Sequence, residues 1–196
     1  MSAAMPRVVL ASTSPYRADL LRRILPDFIR TASRVDEALR PDEAPADRAL
    51  RLAQDKARAV AADHPGALVI GSDQVAELDG RVLRKPGDAA TARGQLLACS
   101  GREVRFHTAV CLIDTRADRS ACAQDLTRVR FRELSREEVE RYVEREQPFD
   151  CAGSFKAEGL GITLFERIAS DDPTALVGLP LIALARLLRE ARLDLP

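Results

Sequence analysis

An α/β fold is predicted by the alternation of two patterns. Short runs of β-branched and aliphatic residues, RVVLA at 7–11 and ALVIG at 67–71, alternate with segments whose apolar residues recur at helical spacing. Signals that open helices follow these runs, and Asp79-Gly80 between two apolar stretches marks a type I′ hairpin. At 196 residues the chain can bury a core without cross-links, and no repeat or low-complexity tract divides it, so a single domain over 1–196 is expected.

The elements follow in order. RVVLA is the first strand. Ser14 is an N-cap for the helix after it, with Pro15 at the first helical position and Leu20, Leu21, Ile24 and Leu25 on one face. DFIRTAS at 27–33 reads as a second strand, and the loop RVDEALRPDEAP leads to a helix over 45–63 that Pro45 opens. The next strand is expected to end at Asp73, with the Asp79-Gly80 hairpin projecting beyond it. A helix over 89–99 precedes a long strand at 102–114, paired with 121–134 as an antiparallel ribbon. Ser135 caps a helix that ends near Pro148, with Glu138 placed to complete a capping box. The last helix, within 179–193, is apolar over most of its girth and is assigned to the core.

Charge and composition narrow the function classes. Thirty basic residues balance 30 acidic ones, which leaves no long-range attraction for nucleic acid or an anionic membrane and favours a small ligand met by a local cluster of cations. The longest apolar runs fall far short of the ~20 residues that cross a bilayer. Cys99, Cys111, Cys122 and Cys151 show neither CxxC pairing nor zinc spacing, and no secretory signal is read, so four reduced thiols and a cytoplasmic location are expected. His64 and His107 are far apart, which argues against a histidine-based zinc site or a Ser-His-Asp triad. A metal, if used, would be held by carboxylates and water, which favours magnesium or manganese.

Charged and hydroxyl residues cluster where strands are expected to end, the usual place for ligands in open α/β sheets. In STSPYR, Ser14 explains itself as a cap, while Ser12 and Arg17 beside the helix N-terminus could also form an anion site. Asp73 in GSDQV is either a turn residue or a carboxylate held toward a ligand. Lys85 stands next to Pro86 on a rigid loop, and Lys56 lies on the small-residue face of its helix, from which it either enters a cleft or snorkels to solvent. Gly153, Gly159 and Gly161 surround Lys156 and Glu158 in a loop that suggests close approach to a ligand. Neither a GxGxxG fingerprint nor a GxxxxGK[ST] phosphate loop is present.

In series, LASTSPYR, VDE, LAQDKA, IGSDQV, KPGD, CAGSFKAEGLG and SDDPTALVGLPLIAL resemble the Maf family of nucleoside triphosphate pyrophosphatases over nearly the whole chain, and within it the branch acting on 7-methyl-GTP. The resemblance implies a long mixed sheet flanked by helices, with two lobes and a nucleotide cleft, similar to inosine triphosphate pyrophosphatases. It implies hydrolysis between the α and β phosphates with a divalent cation, a house-cleaning role and a possible homodimer. The catalytic position falls on Asp73, the phosphate-binding positions on Ser12, Arg17, Lys56 and Lys85, and the acidic VDE position, a metal ligand together with Asp73, on Glu37. The positions that set base preference fall on Tyr16, Gln74 and Glu158. Two other readings go with the same resemblance: a dTTP/UTP pyrophosphatase, and a nucleotide-binding regulator of septum formation without turnover.

The residue types suit that chemistry. A triphosphate repels hydroxide, so cations must offset its charge while a carboxylate such as Asp73 activates water. Methylation at N7 makes guanine a cation with its Watson–Crick donors intact, which suits hydrogen bonds to Glu158 and stacking on Tyr16.

Overall fold

The computed structural model describes residues 6–195, so positions 1–5 and 196 of the expected domain lie outside the described residues. In chain order the elements are β1 (Arg7–Leu10), α1 (Pro15–Arg22), β2 (Ile29–Arg30), α2 (Pro45–Ala61), β3 (Ala67–Leu78), β4 (Arg81–Leu83), α3 (Ala89–Cys99), β5 (Glu103–Asp114), β6 (Arg119–Phe131), α4 (Arg136–Glu146), β7 (Phe165–Ala169) and α5 (Leu181–Glu190). Among the described residues seven strands form one mixed sheet, ordered β2-β1-β3-β5-β6-β7, with β4 paired to the far end of β3.

Local signals set the helix starts and the tight turn. Ser14 Oγ accepts the Arg17 N–H at 3.4 Å. Ser135 and Glu138 exchange both bonds of a capping box, with Ser135 Oγ accepting the Glu138 N–H and the Glu138 carboxylate accepting the Ser135 N–H. Asp79 and Gly80 both have left-handed backbones, at φ 48° and 78°, as a type I′ hairpin between β3 and β4 requires.

The long strands change the expected boundaries. β3 does not stop at Asp73: β5 pairs with it residue for residue from Leu68 to Glu77, so the ladder carries the chain straight through. On its other edge β3 has β1 as partner only from Ala67 to Ile70, and β4 only from Ala76 to Leu78. The stretch 71–75 between them has no strand partner on that edge, and Asp73 sits in this gap. The second strand contracts to Ile29–Arg30 because β1 offers it only Val9 and Leu10.

Even-numbered residues of β3 face two separate apolar clusters. Leu68 and Ile70 pack with α1 and α5 through Leu20, Leu21, Leu184 and Leu188, while Ala76 and Leu78 pack with α3 and α4 through Leu96, Val139 and Tyr142. These clusters are the two lobes, and one sheet serves both. Between them stand Ser72 and Gln74, whose polar groups hold the 3-10 turn at Ala175–Val177 and the glycine after it. Ser72 Oγ lies 3.0 Å from Gly178 O, and Gln74 Nε2 lies 2.9 Å from Ala175 O and 3.0 Å from Leu176 O.

As expected, α5 packs in the core, through Leu181, Leu184, Leu187 and Leu188, while Arg186 and Arg189 face outward with Ile182, which is 62% exposed. The expectation of four thiols is overturned. Of the four cysteines, Cys111 and Cys122 form a disulfide, because the β5–β6 register sets them directly opposite one another with Cα atoms 4.1 Å apart. Cys99 and Cys151 remain thiols.

On the odd-numbered face of β3, α2 packs through Ala49, Ala53 and Ala57 against Val75, Ala109 and Cys111. The approach is closest at Gly71, where a Cβ would stand 2.2 Å from Ala53 O and 2.6 Å from Ala57 N, both backbone atoms that cannot swing aside. Gly71→Ala is expected to destabilise the protein by about 2–3 kcal/mol through overpacking. Gly94→Ala, in α3 where a Cβ meets nothing within 4 Å, is expected to stabilise it by roughly 0.5–1 kcal/mol. Urea unfolding of the two variants beside the wild type checks both signs.

Candidate functional site

The gap in the β3 edge opens into a cavity of ≈ 450 Å³ between the lobes. Its walls come from the start of α1, the 37–38 segment, α2, β3, the β4–Lys85 loop, the 150–158 loop and the turn before α5.

Asp73 and Lys56 form its floor, each only 7% exposed. Lys56 belongs to the buried face of α2, and its Nζ lies 2.6 Å from Asp73 Oδ1 and 2.7 Å from Glu37 Oε1. The lysine therefore enters the cleft rather than snorkelling to solvent. For Glu37 burial is the largest single influence and would raise its pKa, but the Lys56 hydrogen bond and the charges of Lys56, Lys85 and Arg17 together outweigh it and hold the carboxyl below its ordinary range.

Arg17 is held from the other lobe-forming segment. Its Nε donates to Gly178 O at 2.8 Å, and among the described residues its two terminal nitrogens make no hydrogen bond. Desolvation lowers the guanidinium pKa from its ordinary value, against the opposing pull of Asp73 and Glu37. Lys85 lines the cavity from its loop and is exposed.

Tyr16, Glu158 and Asp150 also line the wall. The Tyr16 hydroxyl donates to Asp150 Oδ2 at 3.3 Å, and burial, with help from Cys151 and Asp150, pushes its pKa upward. Gln74 also lines the cavity, but its amide nitrogen is committed to Ala175 O, Leu176 O and Thr108 Oγ1, which leaves Oε1 for a ligand.

Ser12 does not line the cavity. It is buried and its Oγ accepts the Ser14 N–H at 3.1 Å, so it shapes the loop, and Ser14 reaches the wall instead. The glycines after Cys151 face protein: a Cβ on Gly153 would meet the Phe106 ring, and one on Gly159 the Glu146 carboxylate. They let the loop close on its own supports, while its residues Asp150, Cys151, Ala152 and Glu158 line the cavity. Sequence reasoning missed Asp150, Arg48 and Arg84 on the wall. None sits in a spacing that marks it, since their positions depend on where a turn, a helix and a loop meet.

Glu37 and Asp73 carry the carboxylates a hard divalent cation takes. Their carboxylates converge within 2.7 Å of one point, the Lys56 nitrogen, and magnesium commonly takes one or two protein carboxylates and fills its shell from phosphates and water. Among the described residues no group of three or more His, Cys, Asp or Glu gathers for a metal. His107 is paired with Glu77 at 2.8 Å, away from the cavity wall.

The Maf-like protein family matches residues 7–191. The chain belongs to the Maf family. It is 60% identical over 192 residues to a 7-methyl-GTP pyrophosphatase of Xanthomonas oryzae pv. oryzae, covering 98% of this chain and 100% of the relative. It is 56% identical over 190 residues to the protein of that name from Aromatoleum aromaticum, covering 97% and 98%. Among solved structures, a HAM1 protein from Coxiella burnetii superposes with a TM-score of 0.48 at 14% identity, covering 96% of this chain and 99% of that one. No helix among the described residues of this Maf chain is long and apolar enough to cross a membrane.

The depressed Glu37 pKa has a definite sign for stability. A carboxyl whose folded pKa lies below its unfolded value, about 4.3 for Glu, contributes stability above that value and loses it as pH falls through the folded one. The stabilities of wild type and Glu37→Gln, measured by urea unfolding across the acid range, should therefore converge at low pH and separate, wild type higher, as pH rises through about 4.3.

Proposed function

We propose that this chain hydrolyses 7-methyl-GTP between its α and β phosphates, releasing the monophosphate and pyrophosphate, as one domain with a house-cleaning role in the cytoplasm. The observation that carries this reading is one cavity lined both by cations around Asp73 and by an aromatic ring with carboxylates. The chain spans almost the whole length of relatives named 7-methyl-GTP pyrophosphatase, which supports the same substrate.

Arg17 and Lys85 offset the triphosphate charge, Arg17 through the terminal nitrogens that its bond to Gly178 leaves available. Lys56 holds Asp73 and Glu37 in register. Asp73 takes a proton through Oδ2, which has no hydrogen bond among the described residues, from the water that enters across the α–β anhydride, and the electrons of the broken P–O bond leave with pyrophosphate. Glu37 and Asp73 would hold the divalent cation, magnesium or manganese, which supplies positive charge against the phosphates. Glu158 accepts the N1 and N2 hydrogens of the base, Tyr16 stacks on its ring, and Gln74 contributes through Oε1.

A nucleotide panel scored for pyrophosphate release, with magnesium or manganese present, should show 7-methyl-GTP turned over faster than GTP, dTTP, UTP or CTP. Equal rates would end the claim of base preference, and binding without product would end the claim of catalysis. Asp73→Asn should lose about a hundredfold or more in turnover while still binding nucleotide, and an active variant would remove Asp73 from its role.

A further inference from the structure

We infer that Asp150 is a further specificity residue of this cavity, placed to read the positive charge of the base. The inference rests on 7-methyl-GTP being the substrate. Guanine and 7-methylguanine offer the same N1 and N2 hydrogens, so bonds from Glu158 to that edge are available to both. What separates the two bases in their ordinary forms is the charge on the ring and one methyl group, and a site that discriminates needs a group that responds to charge.

Asp150 has that position. α4 ends at Gln147, whose left-handed backbone (φ 48°) turns the chain, and Pro148 keeps the helix from continuing. The turn is tied across the cavity by the Gly87 N–H, which donates to Phe149 O at 3.0 Å, so Asp150 stands on a segment anchored to the loop that carries Lys85. Its side chain lines the same cavity as Tyr16 and Glu158, accepts the Tyr16 hydroxyl through Oδ2 and the Cys151 thiol at 3.4 Å through Oδ1.

The surrounding charges leave this carboxylate without a cation. Among the described residues Asp150 has no ion pair. Arg17, Lys56 and Lys85 instead act on Glu37, Arg48 pairs with Glu43, Arg84 lines the cavity without an ion pair to Asp150, and Lys156 turns to Glu146, with Nζ 3.3 Å from its carbonyl oxygen and 3.9 Å from Oε1. Burial pushes the Cys151 thiol up to about 12, with Asp150 and, more weakly, Glu158 adding to the rise and Lys156 opposing it. Negative potential from both carboxylates therefore reaches one place, and the thiol there stays neutral near pH 7. An aromatic ring held by one of two carboxylates suits a flat, delocalised cation and gives a neutral purine no comparable gain.

Asp150→Asn removes the charge and keeps an oxygen that can accept the Tyr16 hydroxyl. The ratio of kcat/KM for 7-methyl-GTP to that for GTP is expected to fall about three- to tenfold, chiefly through a higher KM for 7-methyl-GTP, and Asp150→Glu is expected to restore much of it. A merely structural role would lower both substrates together and leave the ratio unchanged, which would overturn the inference. Tyr16→Phe keeps the ring and removes the tether; a loss of ratio as large as that of Asp150→Asn would show that Asp150 acts only by holding Tyr16, and would overturn direct charge recognition. Should Asp150→Asn fail to fold by circular dichroism, Asp150→Ser removes the same charge. An unchanged ratio in Asp150→Asn beside a lowered one in Glu158→Gln would sink this inference alone, whereas a wild-type enzyme indifferent to N7 methylation would sink the substrate reading beneath it.

Discussion

The backbone of α2 rests directly on Gly71, and the site depends on that contact. A side chain there would meet two backbone atoms of the helix. With none, Ala53 and Ala57 settle on β3 and β5, and Lys56, on the same helix face, arrives over Asp73 two residues further along the strand. A salt bridge of 2.6 Å between groups 17 residues apart is thus set by the closeness of a helix to a sheet. The buried position makes the pairing consequential, since a charge on either partner alone would be costly to leave there.

A second constraint is the break in pairing along the β3 edge. β5 supports β3 over its length, so the strand can lose its neighbour at 71–75 without losing its course. That gap leaves room for the cavity beside Asp73 where a further strand would otherwise run. On the reverse face Ser72 and Gln74 separate the two apolar clusters and hold the turn at 175–178, and the Gly178 carbonyl receives Arg17. The same few residues of one strand thereby fix the lobes, the floor of the cavity and the guanidinium above it.

The cavity holds two groups of charge. Lysine and arginine gather about Glu37 and Asp73, while Asp150 holds the Tyr16 hydroxyl and lines the same cavity as Glu158. A zero net charge conceals this arrangement, because 30 basic and 30 acidic residues balance over the whole chain. A ligand carrying phosphates at one end and a cationic ring at the other would meet complementary charge along its length.

Much of the fold was legible in the sequence. Ser14, Ser135 and Asp79-Gly80 act through atoms within a few residues of themselves, so caps and hairpin followed from local chemistry. The Maf motifs likewise pointed to Lys56, Asp73 and Glu37, and their order along the chain carried the family. Strand ends were not legible, because β3 continues past Asp73 only through its partner β5. The Cys111–Cys122 disulfide depends on the register of two long strands, a quantity set by the whole ladder and by no spacing within it. Ser12 belongs to the motif yet turns inward to serve its own loop, while Asp150 reaches the wall from a turn about 130 residues away from Tyr16. Sequence by itself determined which residue types were available and where local bonds would start and stop elements. Tertiary structure decided which of them share a cavity, because that depends on distances between segments that only packing brings together.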